Sequence, residues 1–242
     1  GKPLQGLAHA PYSLPWPGGE VVRLPEVSDF AGLPPLYVPP LLGPFVGADL
    51  SAGLTDLIMG DDPPGFPFIL ADMGTNGEFI LALEPDKYLA TSVALGPALE
   101  GVGPACGGLA GKGAIVGFNL GPQGLEPHIL GDEPPDRISG TGYLSLLASL
   151  LRAGLLLENG EFAAASDLSL PLSRNLSKSL EETKQGKRFV LPGGLYLSAN
   201  DIEELLKVKA AFNLAFGVLL REAGLKPADI KTLCLAGALG EH

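Results

Sequence analysis

Cysteine is nearly absent from this chain of 242 residues: only Cys106 and Cys234 occur, far apart in sequence. They make neither a disulfide framework nor a metal-ligand spacing. His9, His128 and His242 join them in no zinc-like pattern. Both cysteines stand in apolar or glycine-rich company, which reads as buried free thiols in a reducing compartment. Basic residues are scarce too, with 16 Lys and Arg against 27 Asp and Glu, a formal net charge of −11. That balance argues against nucleic acid or an acidic membrane as partner, since either needs a basic face. The densest basic run, Lys184 to Arg188, reads as a solvated loop. No apolar run reaches membrane-spanning length without Gly, Pro or charge, and no signal peptide opens the chain. A cytoplasmic protein is expected. Charged residues make up 18% against 46% hydrophobic, which excludes disorder for the chain as a whole.

What the chain has in excess is glycine (34) and proline (23), hence many turns and irregular connections. Ten prolines fall in residues 1–45. Such a segment is extended or turn-rich, with one short strand expected at Leu36–Val38. It is too apolar for a free linker and is expected to lie packed on the domain formed by residues 46–242. Both ends read as cut. The start has no Met and no periodic pattern, and the last residues follow directly on a buried strand and a glycine turn, so the chain reads as a fragment of a longer protein.

Residues 66–83, FPFILADMGTNGEFILAL, place two apolar runs around Gly74, Thr75, Asn76 and Gly77. Asn-Gly between apolar runs signals a hairpin, because both turn residues must tolerate positive φ. Strands are expected at about 67–72 and 77–83, with a third at 88–93. Before them, Asp49 or Ser51 is the expected N-cap of a short helix. GPALEGVGPACGGLAG reads as a helix interrupted by glycines, and GAIVGFNL and LEPHIL as two short strands. From Ser139 a helix begins, apolar at Leu144, Leu147, Leu150 and Leu151, ending at Arg152 and Gly154. Residues 158–187 are polar and patternless and read as a loop excursion. The longest helix runs from about 200 to 223. On it Leu205, Val208, Phe212, Ala215, Phe216 and Leu219 are expected inside, with Glu203, Glu204, Lys207 and Arg221 in water. A strand at 232–236 follows. Strands grouped first, then alternating with helices, point to an α/β layer fold with a mixed sheet.

Three glycine clusters are candidate phosphate holders. Gly107 to Ala114 fails as a P-loop, since Cys106 stands where the first glycine belongs and Gly113 follows Lys112. Ser139-Gly140-Thr141-Gly142 opens a helix, whose free amides can receive an anion; the plain alternative is a capped helix packed closely on the sheet. The hairpin is the third. Its small residues leave amides open, Thr75 and Asn76 add donors, and Asp72 at the strand end can hold Mg²⁺ through water.

Seven segments in order carry a resemblance: GADLSAG at 47–53, DMGTNGE at 72–78, ALGPALEG at 94–101, GAI at 113–115, RISGTG at 137–142, DIEELLKVKAA at 201–211 and LAGALG at 235–240. In this pattern the chain resembles the actin-like ATPase domain of the ATP-dependent reductive activators of corrinoid/iron–sulfur proteins. It departs from the pattern at Leu109, where the family usually carries arginine, at Ser139 for cysteine and at Leu239 for phenylalanine. The resemblance implies an RNase H-like lobe with a mixed central sheet flanked by helices. It also implies ATP with Mg²⁺ in a cleft shared with a further lobe of the same chain. The family's iron–sulfur cluster and first phosphate hairpin belong to regions missing here.

By that resemblance Gly74, Thr75, Asn76 and Gly77 contact phosphate, and Asp72 serves Mg²⁺ and catalysis. Gly237 and Ala238 lie beside adenosine, where a bare backbone can approach. Glu100, Lys209, Gly140 and Gly142 are further candidates. The implied partner is a corrinoid/iron–sulfur or corrinoid methyltransferase protein, served by low-potential electron transfer; a homodimer is compatible with the pattern. A non-hydrolysing, partner-binding domain of the same fold is the alternative, and the fragment alone is expected to be inactive.

Overall fold

The computed structural model describes residues 5–8, 12–23, 34–74, 76–95 and 103–237. It divides into two units, residues 1–93 with 214–241, and residues 94–213.

The apolar runs of the first unit form a hairpin of β3 (Phe68–Met73) and β4 (Asn76–Glu84), followed by β5 (Lys87–Ala94). β12 (Thr232–Ala236) lies parallel to β3, giving a mixed sheet in the order β12-β3-β4-β5. Side chains alternate across a sheet, so its two faces hold different sets. One face presents Phe68, Leu70, Ile80 and Ala82 to Val46, Leu50 and Leu54, the last two on α1 (Ala48–Met59). On the other face lie Ile69, Ala71, Phe79 and Leu81, all buried. There Phe79 meets Phe216 edge-on, with ring centroids 5.1 Å apart. β3 is buried on both faces, which explains its unbroken apolar run. α1 starts after Gly47 with no side-chain cap, not at Asp49 or Ser51. Ser51 instead turns its hydroxyl to the Pro40 carbonyl (2.6 Å) and the Ala48 carbonyl (2.9 Å), tying the proline-rich segment to the helix. In that segment the expected strand is present as β2 (Leu36–Val38), paired antiparallel with β1 (Glu20–Val22), which carries no pattern of its own.

In the second unit β6 (Ala114–Gly121) pairs antiparallel with β7 (Gly124–Ile129) and parallel with β8 (Arg137–Ile138). Across β6 lies α2 (Gly140–Arg152). Gly142 permits the close approach, since a Cβ there would stand 2.3 Å from the Ile115 carbonyl oxygen. Ser139 caps α2 by accepting the Gly142 N–H (3.1 Å). Gly154, with φ 69°, closes it in the left-handed region. The helix expected across the glycines before Ala114 is not formed over residues 103–113, which run as turns. Gly103 (φ 136°) and Gly113 (φ 81°) take conformations no helix contains.

Residues 158–187 are not a bare loop. They hold α3 (Pro171–Leu176), β9 (Leu180–Thr183) and the start of β10 (Gly186–Val190), which with β11 (Tyr196–Ser198) make a three-stranded sheet. These pieces are too short to show a period, and β9 is exposed along most of its length. α4 (Ala199–Ala223) is the longest helix. Ser198 and Asp201 close its start reciprocally: Ser198 N–H donates to Asp201 Oδ2 (2.8 Å) and Asp201 N–H to Ser198 Oγ (3.2 Å). Leu205, Val208, Ala215 and Leu219 are buried as the spacing predicts, and Phe212 and Phe216 are half-buried. Glu203, Lys207 and Arg221 are exposed, while Glu204 is half-buried. None of the described helices is long and apolar enough to cross a membrane.

Candidate functional site

The hairpin turn and the turn after β12 lie at the same end of the sheet. β12 runs parallel to β3 with Ala236 in register with Asp72, so both strands deliver their next residues, Gly237 and Met73-Gly74, to one edge. Gly237 takes φ 81° and sits so close that a Cβ would stand 2.5 Å from Asp72 Oδ1 and 2.6 Å from the Met73 carbonyl oxygen. At Gly74 a Cβ would meet nothing nearer than 3.8 Å, so the tip is open. Its N–H donates to the Asn76 carbonyl (3.1 Å), so that amide closes the turn instead of pointing free. Asn76 is exposed and Gly77 buried.

Asp72 pairs in register with Glu78 across the hairpin, both on the α1 face. Glu78 Oε1 accepts the N–H of Gly47, the residue before α1, at 3.3 Å. An acid at a helix start is favoured by the exposed amides and the dipole there. Partial burial pushes the carboxyl of Asp72 up, and the charge of Asp49 adds to it. Glu78 is likewise raised by burial; the Gly47 hydrogen bond opposes this, and Asp49 and Asp72 reinforce it. Three carboxylates thus share the end of the sheet with no cation against them among the described residues. No group of three or more His, Cys, Asp or Glu among those residues is arranged to hold a metal ion on its own. The oxygens of Asp72 and Glu78 suit a hard cation that also takes phosphate and water, as Mg²⁺ does.

Sequence reasoning singled out Asp72, Gly74, Asn76, Gly77 and Gly237, and the fold gathers these five at one edge. Thr75, Glu100 and Ala238 lie outside the described residues. Gly140 and Gly142 are buried on α2, where the Gly142 N–H is taken by Ser139, so Gly142 serves packing. Lys209 is exposed on α4. Glu78 and Gly47 were not picked out, and Asp49 only as an N-cap candidate. A turn at Thr75–Asn76 would set Asp72 opposite Phe79, whereas the strand register sets it opposite Glu78.

Residues 67–242 match the family described as the C-terminal domain of RACo, the ASKHA domain. The chain belongs to this family. Its fold is accordingly the α/β actin-like, RNase H-like lobe with a mixed central sheet flanked by helices. Among curated proteins, it is similar to the corrinoid activation enzyme RamQ of Eubacterium limosum, at 29% identity over 209 residues, 84% of this chain and 34% of that protein. It is also similar to the [Co(II) methylated amine-specific corrinoid protein] reductase of Methanosarcina barkeri, at 26% identity over 231 residues, 86% of this chain and 38% of that one. Among solved structures, a reductive activator for corrinoid, iron–sulfur protein matches with a TM-score of 0.76 at 25% identity, over 98% of this chain and 37% of that chain. The chain therefore spans little more than a third of the length of these relatives.

Proposed function

We propose that this chain supplies one lobe of the ATP cleft of a reductive activator of corrinoid proteins, coupling ATP binding or hydrolysis to low-potential electron transfer. The observation that carries the reading is the convergence of the Asp72–Glu78 hairpin and Gly237 at one sheet edge, in a chain of this family. Its partner is a corrinoid protein, by analogy with what the relatives' names state, and the family resemblance narrows it to a corrinoid/iron–sulfur or corrinoid methyltransferase protein. The cluster that feeds electrons belongs to another part of the longer protein. Mg²⁺, where bound, neutralises phosphate charge that is otherwise repelled by the acidic edge. Asp72 and Glu78 supply oxygens to that cation, directly or through water. Asn76 and Thr75 donate to phosphate oxygens, and Gly237 lets backbone approach the nucleotide without a side chain between them.

Leu109 favours a second reading, a lobe that binds its partner without hydrolysing ATP. It is exposed where the family usually carries arginine, which would serve phosphate charge.

A shared cleft leaves each lobe only part of the ligand contacts. Losing about 4 kcal/mol of them weakens binding roughly a thousandfold, so this chain alone is expected to bind Mg-ATP far more weakly than the full-length protein. Calorimetry of both decides it: micromolar affinity in this chain alone overturns the shared cleft. In the full-length protein, Asp72→Ala and Thr75→Ala should both lower ATP turnover. Retained ATP binding with no turnover in the unmodified protein would favour the second reading.

A further inference from the structure

Glu78 answers to two neighbours at once. On the hairpin it stands in register with Asp72, and across to α1 it accepts the Gly47 N–H at 3.3 Å. α1 has no side-chain cap of its own, so its start is tied by a residue from another element. Asp49 crowds the same spot. A Cβ on Gly47 would overlap the Asp49 oxygen Oδ1, so residue 47 is glycine for space, its φ of −75° being open to any residue. The Gly47 amide draws Glu78 in, while the charges of Asp49 and Asp72 oppose a negative charge there. At 3.3 Å the bond lies beyond the usual N–H···O range, so little holds the carboxylate in place. Strain sits on the same stretch. Phe45, two residues before Gly47, has φ 61°, the one non-glycine with positive φ among the described residues. A bulky side chain keeps that conformation only where its surroundings impose it, and such strain gathers at switch regions.

Residues 40–51 form a connected joint. The Val46 N–H donates to the Gly43 carbonyl (3.1 Å), the Val46 side chain is buried, and Ser51 Oγ reaches the Pro40 carbonyl (2.6 Å). We propose that Glu78 is a latch: when a cation occupies the Asp72–Glu78 edge, the Glu78 carboxylate leaves Gly47 for the cation, and the start of α1 relaxes together with the Phe45 turn. A divalent cation attracts a carboxylate with full charges, which a neutral amide at that distance does not match. It also cancels the repulsion among the three acids. The change reaches the surface at Tyr12 and Phe45, both about half exposed, whose rings meet edge-on with centroids 5.2 Å apart. Occupancy of the edge is thus passed to a surface outside the sheet. The trigger rests on the cation reading given above; the tie between Glu78 and Gly47 does not depend on it.

Amide hydrogen exchange tests this in two arms. In the 242-residue chain, Glu78→Ala should quicken exchange at Gly47 by about tenfold, as for one lost hydrogen bond. Glu78→Gln keeps an acceptor oxygen and should leave that amide protected. In the full-length protein, Mg-ATP should quicken exchange across residues 43–49 while slowing it at 72–77, and ATP without Mg²⁺ should leave 43–49 unchanged. Unchanged exchange at Gly47 in a folded Glu78→Ala variant overturns the latch. Quickening of 43–49 by ATP without the metal overturns the cation as trigger. Slowed exchange at 72–77 with 43–49 unchanged or slowed overturns the switching and leaves the ATP cleft standing. No binding of Mg-ATP to the full-length protein in calorimetry sinks the ATP reading, and the trigger with it.

Discussion

Gly237 rests against Asp72 so closely that a methyl group between them would stand 2.5 Å from the carboxylate oxygen Oδ1. This proximity ties the end of one strand to the hairpin of its neighbour. Gly237→Ala would meet both that oxygen and the Met73 carbonyl in the left-handed region of φ. The backbone conformation alone costs about 1–2 kcal/mol, and displacing a backbone carbonyl adds to it. Denaturant unfolding should show a loss of about 2–4 kcal/mol. Gly74→Ala, with open space around it, should cost less than about 1 kcal/mol. Equal losses in the two variants would contradict the close approach.

Gly142→Ala tests the seating of α2. The added Cβ would stand 2.3 Å from the Ile115 carbonyl oxygen and 2.9 Å from Ile138 Cγ2, both in packed surroundings. A loss of about 2–3 kcal/mol is expected. Ser139→Ala removes the cap together with the hydroxyl's bond to the Ile115 carbonyl (3.1 Å) but leaves the packing of Gly142 intact, and should cost about 1–2 kcal/mol. Thermal melts of both variants measure the difference, and a Gly142→Ala protein as stable as the parent would refute the packing role.

Asp201 is 3% exposed and joins the start of α4 to the backbone at Ala105. Asp201→Ala leaves two backbone N–H groups and a hydroxyl without their acceptor, at about 2–4 kcal/mol. Asp201→Asn keeps one carbonyl oxygen and should fall between. Hydrogen exchange should quicken at Ala105 and Ser198 in both variants. Exchange unchanged at Ala105 would show that the link is not made in solution.

The pH dependence follows from the raised carboxyl groups of Asp72 and Glu78. A carboxyl whose folded pKa lies above its unfolded value binds more protons in the native state. Stability then falls as pH rises from the unfolded pKa, about 4, through the raised folded one. Asp72→Asn and Glu78→Gln should each gain stability over the parent at pH 7, and the gain should disappear near pH 3. Added Mg²⁺ with nucleotide should reduce it in the full-length protein. Parallel melting curves for parent and variants across pH 3–7 would contradict the shared-edge repulsion.

The hairpin, a strand at 232–236 and the long helix were readable from the residues, because each has a local cause; the parallel pairing of that strand with β3 was not, nor was the exposure of Leu233 and Leu235 on a strand that reads as buried. The small residues between the two apolar runs mark a turn, although Asn76 and Gly77 themselves belong to β4, where Gly77 pairs with Met73 and does not take positive φ; the alternation around the turn sets the faces, and apolar residues at three- and four-residue spacing set the helix. The short elements between 158 and 187 were not readable, because a strand of four mostly exposed residues such as β9 has no periodic signature, and it exists through pairing with β10. Gly140 and Gly142 illustrate the other limit. Sequence allows those glycines either an open anion site or a close packing contact, and only the Ile115 carbonyl, 25 or more residues away by sequence, decides that Gly142 is the second. The acidic edge is of the same kind. Asp72 could be named from its place before the turn, but its companions Glu78 and Asp49 and the pressing Gly237 reach it through strand register and the seating of α1. Charge repulsion, burial and close approach depend on distances through space, and a linear chain states these only after its sheet has paired.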